Sequence, residues 1–264
     1  MLLPERARWP EALQALLSDA HLTGNDTGCS GDAVFRVEGG PQGPAFLKLA
    51  PAQRGRTLEP EVRALRWLQG RLPVPEVRFA GTQDGLDYLL MSALPGHDAS
   101  SPAFLADPDR AVALYARGLK AVHGLDIRDC PLRAGLDEKL EEARYRCEAG
   151  MVDTSDFEDE WLGRPAEALY AALVERRPAR EEWVFTHGDY CLPNLIVAGD
   201  RLSGYIDLGR AGIADRYQDI ALALRSLRHN YGDDRYAAAF LDHYGLETLD
   251  QERVDYYVLL DELF

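Results

Sequence analysis

Thr186-His187-Gly188-Asp189-Tyr190-Cys191-Leu192-Pro193-Asn194, followed by Gly204-Tyr205-Ile206-Asp207-Leu208-Gly209, is the part of this sequence that decides how the rest is read. Each polar residue in it has a separate chemical task open to it. The Asp189 carboxylate can take a proton from a hydroxyl group. Asn194 and Asp207 offer amide and carboxylate oxygens, the ligands that a hard divalent cation such as Mg²⁺ selects. His187 suits orienting the loop by hydrogen bonding better than moving a proton itself. A lone His-Gly-Asp often does no more than close a turn or cap a helix. Asn194 five residues after Asp189, with Asp207 at the end of the next strand, makes that bland explanation improbable, and Pro193 shortens the path between the first two.

The pattern His-x-Asp-x-x-x-x-Asn, then Asp-x-Gly after a short hairpin, has the spacing of a kinase catalytic loop and its metal-binding aspartate. Other residues agree with it independently. Lys48 lies in the middle of the apolar run Ala45-Phe46-Leu47-Lys48-Leu49, where an ammonium is costly unless an anion meets it. It is one of only three lysines against 26 arginines. A compact point charge there suits nucleotide phosphates. Glu61, early in the helix that follows, is its natural ion-pair partner. Gly28-Cys29-Ser30-Gly31, before the first predicted strand, could aim backbone N–H groups at phosphate, although it lacks a full G-x-G-x-x-G.

Composition narrows the field further. The 264 residues, 46% hydrophobic and 28% charged, are enough for one large domain or two lobes and fit neither a disordered nor a membrane-embedded chain. A formal charge of −15 has the wrong sign for reading a phosphate backbone and favours a cationic partner. No lysine is followed by Ser or Thr, which excludes a Walker A loop. The four cysteines form no C-x-x-C pair and no signal-like apolar run opens the chain, so a cytoplasmic protein without structural zinc is expected.

The first third alternates and the rest is mostly helical. Strands are predicted at Ala33–Val37 and Ala45–Leu49 around the turn residues 39–43, then at Val74–Phe79 and Tyr88–Met91 around the turn residues 81–85. Helices are predicted near Trp9–Leu17 and from Glu61, with Pro60 in the first turn. Beyond the linker-like Ser92-Ala93-Leu94-Pro95-Gly96, Asp107 can cap a helix opened by Pro108, with Val112, Tyr115, Leu119 and Val122 as its buried stripe. More helices are predicted at Asp137–Ala149 and Asp159–Val174, a small hairpin at Leu195–Val197 and Gly204–Ile206, and three helices from Asp215 to Phe264. The expected fold class is α+β, with a β-rich N-terminal lobe (1–91) carrying one main helix, a hinge (92–98) and a mostly α-helical C-terminal lobe (99–264). Lys48, Asp189 and Asp207 are expected to converge on one triphosphate.

Acidic residues crowd two places. Five of the eight residues from Asp153 to Glu160 are acids, and the chain ends Asp261-Glu262-Leu263-Phe264 with its own carboxylate. An acidic run is often only a solvated face. The tail has the apolar anchors Tyr256, Tyr257, Val258, Leu259, Leu260 and Phe264, so it should dock, and docked carboxylates beside a phosphoryl-transfer centre would favour a polycationic acceptor. Three readings compete: a kinase of the same fold acting on choline, homoserine or a macrolide; a metallo-phosphoesterase, for which six scattered histidines are few; and a non-catalytic binder of cationic drugs.

From Gly28-Cys29-Ser30 through Thr186-His187-Gly188-Asp189 and Asp215-Arg216-Tyr217-Gln218-Asp219-Ile220-Ala221 to Leu259-Leu260-Asp261-Glu262-Leu263-Phe264, the chain resembles the aminoglycoside phosphotransferases, most closely the 3′-phosphotransferases that act on kanamycin and neomycin. The resemblance implies a bilobal protein-kinase-like fold and ATP- and Mg²⁺-dependent phosphorylation of a sugar hydroxyl on a polycationic aminoglycoside, giving antibiotic resistance. The protein would be cytoplasmic, with no nucleic-acid, membrane or obligatory protein partner. By motif it implies Asp189 as catalytic base and Asn194 and Asp207 as magnesium ligands. Lys48, Glu61 and Ser30 would serve the phosphates, and the Ser92 to Leu94 backbone the adenine. Asp156, Asp159, Glu160, Arg210, Arg225, Glu262 and the Phe264 carboxylate would face the acceptor. The resemblance leads one to expect an acid after Arg225; Ser226 stands there.

Overall fold

The alternation at Ala33–Val37 and Ala45–Leu49 becomes the middle of a five-stranded antiparallel sheet. The structure, a computed structural model, describes residues 3–24, 32–155, 157–158 and 161–264. The Gly28–Gly31 loop with Ser30, and Asp156, Asp159 and Glu160, lie outside the described residues. The chain divides into two compact units, Met1–Gly96 with Ser203–Gly209, and His97–Leu202 with Arg210–Phe264.

In the first unit, α1 (Glu11–Leu16) precedes β1 (His21–Gly24), β2 (Ala33–Glu38) and β3 (Ala45–Pro51). Then come α2 (Glu59–Leu68), β4 (Val77–Gln83) and β5 (Leu86–Ser92), and the strand order is β1-β2-β3-β5-β4. Successive strand side chains point to opposite faces. Leu47, Leu49, Tyr88 and Leu90 therefore share one face, where they pack with Trp9, Leu13 and Leu17 from the α1 region. Lys48, opposite Val34 on β2 and Leu89 on β5, projects from the other face. Helix α2 buries Glu61, Ala64, Leu65 and Leu68, a spacing that places Glu61 on its inward stripe.

The second unit begins with β6 (His97–Asp98), the short α3 (Pro102–Leu105) and α4 (Pro108–His123). It continues with α5 (Leu136–Glu148), α6 (Ala166–Glu175), β7 (Trp183–Thr186), β8 (Leu195–Ala198), β9 (Arg201–Tyr205) and β10 (Gly212–Asp215). Helices α7 (Arg216–Tyr231), α8 (Ala237–Tyr244) and α9 (Gln251–Asp261) complete it. The chain leaves this unit within β9 and returns after Gly209. Asp107 caps α4 by accepting the Arg110 N–H, and Val112, Tyr115, Leu119 and Val122 are all buried. A core of Leu140, Leu169, Leu173, Tyr217, Tyr257 and Leu260, among others, joins α5, α6, α7 and α9. Leu263 is fully buried, and Arg146 donates to the carbonyls of Leu263 and Phe264 at 2.8 Å each, so the terminus is docked as its apolar content predicted.

Several predicted boundaries need correction. The turn between β4 and β5 is only Asp84-Gly85, because Gly81, Thr82 and Gln83 continue the ladder opposite Tyr88, Asp87 and Leu86. Helix α6 starts at Ala166 and not near Asp159: Pro165 stands at its N-cap in an extended conformation, and Gly163 takes φ +80°. β9 starts at Arg201, three residues before the predicted strand. β1, β7, β10 and α3, each of four residues, had no separate sequence expectation.

Candidate active site

In the first unit the Lys48 ammonium lies 2.9 Å from Glu61 Oε2 and 2.9 Å from Asp207 Oδ1. Burial works against the charged amine, but the two carboxylates outweigh it and hold the Lys48 pKa above its ordinary value. Burial lifts the Glu61 carboxyl, against the pull of Lys48. Asp207 is 43% exposed at its side chain and adopts φ +59°. Among the described residues it shares such a positive φ with only one other non-glycine, Asp84. A non-glycine held in the left-handed region is an outlier of the kind that clusters at functional sites. Asp32, just before β2, feels the same centre: burial raises its carboxyl, Lys48 pulls it down and Asp207 pushes it up.

In the second unit β7 delivers the chain into the loop 187–194, and side chains of α4 and α7 hold its backbone at His187, Gly188, Tyr190 and Leu192. Asp219 Oδ2 accepts the His187 N–H at 2.7 Å and Oδ1 accepts the Gly188 N–H at 2.8 Å. Gln218 Nε2 donates to the Gly188 carbonyl at 3.1 Å. Tyr115 and Tyr190 stack with centroids 4.8 Å apart, and each hydroxyl donates to the other's carbonyl at 2.8 Å. Gly118 makes room for this pair, since a β-carbon there would lie 2.6 Å from the Tyr190 hydroxyl. Ser226 Oγ accepts the Leu192 N–H at 2.9 Å. Its oxygen thus serves the loop, and a carboxylate at that buried position would face the same backbone.

This bracing fixes Asp189 and Asn194. Leu192–Asn194 forms a single 3₁₀ turn. It brings Asn194 Nδ2 to 2.9 Å from Asp189 Oδ2 and 3.0 Å from the Asp189 carbonyl. Both bonds use the amide nitrogen of Asn194 and leave its oxygen out of the pair. Asp189 itself is half-buried, and His187 Nδ1 lies 3.4 Å from its N–H.

A third group stands at the C-terminus. Asp261 is held by Arg210 at 2.6 Å and by Arg225, and Arg225 also reaches Glu262 at 3.0 Å. Burial would raise the Asp261 carboxyl, but the two guanidinium groups hold it below the ordinary range. Glu262 also accepts the Glu158 N–H at 3.0 Å, and burial pushes its carboxyl up. The Phe264 ring is flanked by Lys139, Arg210 and Arg146 at 5.0, 5.3 and 5.6 Å from its centroid. Arg210, Arg225, Glu262 and Phe264 are therefore brought together, and much of the tail's negative charge is already matched by arginine.

A model of the phosphotransferase enzyme family matches residues 21–257. The chain belongs to this family. It is 54% identical over 256 residues to an aminoglycoside 3′-phosphotransferase of Niallia circulans, with 97% of each chain covered. It is 35% identical to another from Enterococcus faecalis, over 96% of this chain and 97% of that one. Among solved structures, an aminoglycoside 3′-phosphotransferase of type VIII superposes with TM-score 0.84 at 33% identity, over 96% of this chain and 98% of that one. An aminoglycoside phosphotransferase of Streptomyces rimosus in complex with ADP and streptomycin superposes with TM-score 0.80 at 30% identity, over 96% of each. The fold is thus α+β and kinase-like.

Family membership bears on the cation. Among the described residues no three His, Cys, Asp or Glu side chains are arranged to hold a metal by themselves. Asn194 in the second unit offers an amide oxygen and Asp207 in the first a carboxylate, and each is the kind of oxygen donor that suits Mg²⁺. Sequence reasoning missed Asp219 and Asp32 and left Asp261 out of the site. Asp219 had a readable signal, a lone acid beside the apolar run Ile220-Ala221-Leu222-Ala223-Leu224; it is fully buried.

Proposed function

We propose that this chain transfers the γ-phosphoryl group of ATP to a hydroxyl, the 3′ hydroxyl, of an aminoglycoside such as kanamycin or neomycin, and so confers resistance. The observation that carries this reading is the fixed Asp189–Asn194 pair on a braced loop, in a chain 54% identical to an aminoglycoside 3′-phosphotransferase. Asp189 accepts the acceptor hydroxyl's proton and orients its oxygen for attack. Lys48, kept charged by Glu61, positions the phosphates. Leu94 offers backbone groups to adenine more readily than Ser92, whose N–H is donated to the Glu76 carbonyl at 2.9 Å. Asn194 and Asp207 hold Mg²⁺, which, when bound, neutralises charge on the phosphoryl oxygens. By the family likeness, Ser30 would serve the phosphates, and Asp156, Asp159 and Glu160 would join Glu262 and the Phe264 carboxylate in binding the polycation.

The reaction is placed in the cytoplasm, where ATP is available, with no nucleic-acid, membrane or obligatory protein partner. The charge of −15 argues against a nucleic-acid partner; no helix among the described residues is long and apolar enough to cross a membrane. A coupled assay of ADP release with kanamycin and with its 3′-deoxy analogue tests the reading, followed by NMR location of the phosphate. Release with the first and not the second is expected. Equal release with both, or none with either, overturns it.

A further inference from the structure

Beneath the loop 187–194, the carboxylate of Asp219 has a third partner besides the His187 and Gly188 N–H groups. His123, the last residue of α4, places Nε2 at 3.1 Å from Asp219 Oδ2, with its side chain 4% exposed and that of Asp219 0% exposed. The other ring nitrogen, Nδ1, lies 2.7 Å from the hydroxyl of Tyr244, the last residue of α8, and the two rings meet edge-on at 5.6 Å. Tyr244 is held in turn by Arg216, which donates to its hydroxyl from Nε at 2.9 Å and from Nη2, and whose guanidinium carbon sits 5.1 Å from its ring centroid.

The hydrogen-bonding inventory fixes the direction of every link. A guanidinium only donates, so the two Arg216 bonds use both lone pairs of the Tyr244 oxygen. The phenolic hydrogen is then the one group left for His123, so Nδ1 must accept it. The ring proton therefore resides on Nε2, where it faces a carboxylate that can only accept. The opposite tautomer would set a third donor against the Tyr244 oxygen and a bare lone pair against Asp219.

We propose that His123 and Tyr244 are positioning residues for phosphoryl transfer, forming a relay that runs Arg216 to Tyr244 to His123 to Asp219 and ends on the loop backbone one residue before Asp189. The inference rests on the phosphotransfer reading above. Neither residue touches a reacting atom. Their work is to share Oδ2 of Asp219 with the His187 N–H and to stop that carboxylate from turning, so that both loop N–H bonds stay aligned at once. Arg216 and Asp219 belong to the Asp215–Ala221 string already singled out in the sequence; His123 and Tyr244 carried no sequence signal.

The test measures the single-turnover rate of transfer from ATP to kanamycin, per nucleotide-binding site, together with nucleotide and kanamycin affinity and melting temperature. For H123L, which removes both ring nitrogens, the rate is expected to fall between about tenfold and a hundredfold, with nucleotide affinity unchanged. H123Q, whose amide can present an N–H to Asp219, should recover to within about threefold of wild type. An unchanged rate in H123L, an equal loss in H123L and H123Q, or a loss confined to the folded fraction overturns the proposal. If H123L does not fold, Y244F decides: a severalfold slower transfer step at full nucleotide affinity supports the relay, and a wild-type rate overturns it. ¹⁵N NMR of the ring nitrogens of the resting enzyme gives a readout independent of activity, expected to show Nε2 protonated and Nδ1 bare; a proton on Nδ1 overturns the assignment. Should wild type transfer no phosphate to kanamycin, the functional reading fails while the NMR result still judges the relay.

Discussion

Gly188 offers the sharpest test of whether the braced loop sets the rate. It stands at φ +85°, and a β-carbon added to it would lie 2.1 Å from the carbonyl oxygen of Arg210, whereas real β-carbons essentially never come within 3.0 Å. The two stretches of backbone must therefore part by about 0.9 Å in Gly188→Ala. Neither neighbour is a flexible side chain that could swing aside. The Gly188 N–H and carbonyl are both engaged by α7, so the displacement falls on the peptide that leads directly into Asp189. A misplacement of about 1 Å in a catalytic group lowers the rate by about a hundredfold, near 2.7 kcal/mol in the barrier. The left-handed backbone adds about 1–2 kcal/mol of strain to folding. Gly199→Ala is the matched control, because it carries similar strain at φ +59° with nothing within 4 Å of the new carbon. Rapid-quench single-turnover transfer to kanamycin, with nucleotide affinity and melting temperature in parallel, separates the effects. Gly199→Ala should melt a few degrees lower and transfer at the wild-type rate. Gly188→Ala should bind nucleotide, since Lys48 and Glu61 belong to the other unit, and transfer about a hundredfold more slowly. A Gly188→Ala enzyme within threefold of wild type would show that the loop's geometry is not what limits the chemistry.

Asp207→Asn keeps a residue that tolerates φ +59° and removes its charge; transfer should slow by at least a hundredfold and the Mg²⁺ concentration for half-activity should rise, an unchanged magnesium titration being the refuting result. Lys48→Met leaves Glu61, 3% exposed, without its cation, and should cost about 3–5 kcal/mol in denaturant unfolding; adding Glu61→Gln should restore most of that stability without restoring the KM for ATP. Burial, then the nearby Arg210 charge, pushes the Lys139 amine down to about 8. Unfolded lysine titrates near 10.4, so between these values the unfolded chain binds the extra proton and this group's contribution to stability rises with pH. Lys139→Met should therefore stabilise the protein by up to about 3 kcal/mol at pH 7, an advantage that fades toward pH 10 in unfolding curves.

What the sequence disclosed followed from how local each cause was. A lysine within an apolar strand needs anions whatever surrounds it, and Lys48 has two. Asp107-Pro108 is complete as a helix start in itself, and α4 begins there. The pairing of Asp189 with Asn194 was legible because Pro193 and a short loop leave little freedom. Other features depend on partners remote in sequence. β7 and β10 are four residues each and owe their existence to one another, with Thr186 opposite Gly212 and Trp183 opposite Asp215. The acids around position 159 lengthened the apparent helix of α6, but Gly163 and Pro165 break the path into it. The tail's acids suggested an open field for a polycation, and only the fold sets Arg210 and Arg225 against Asp261 and Glu262.

Asp207 belongs to a seven-residue excursion, Ser203–Gly209, that lies with the first unit although the chain on either side of it belongs to the second. Severing the gene after Gly96 would hence give an amino-terminal fragment that still carries Lys48 and Glu61 but has surrendered one of the two carboxylates the ammonium requires. The carboxy-terminal fragment would keep that carboxylate without its cation. Each half is left with an ionic debt that only the other can settle, so growth of cells on kanamycin would report reassembly of the two, and a split at this point is a natural basis for a selectable complementation pair.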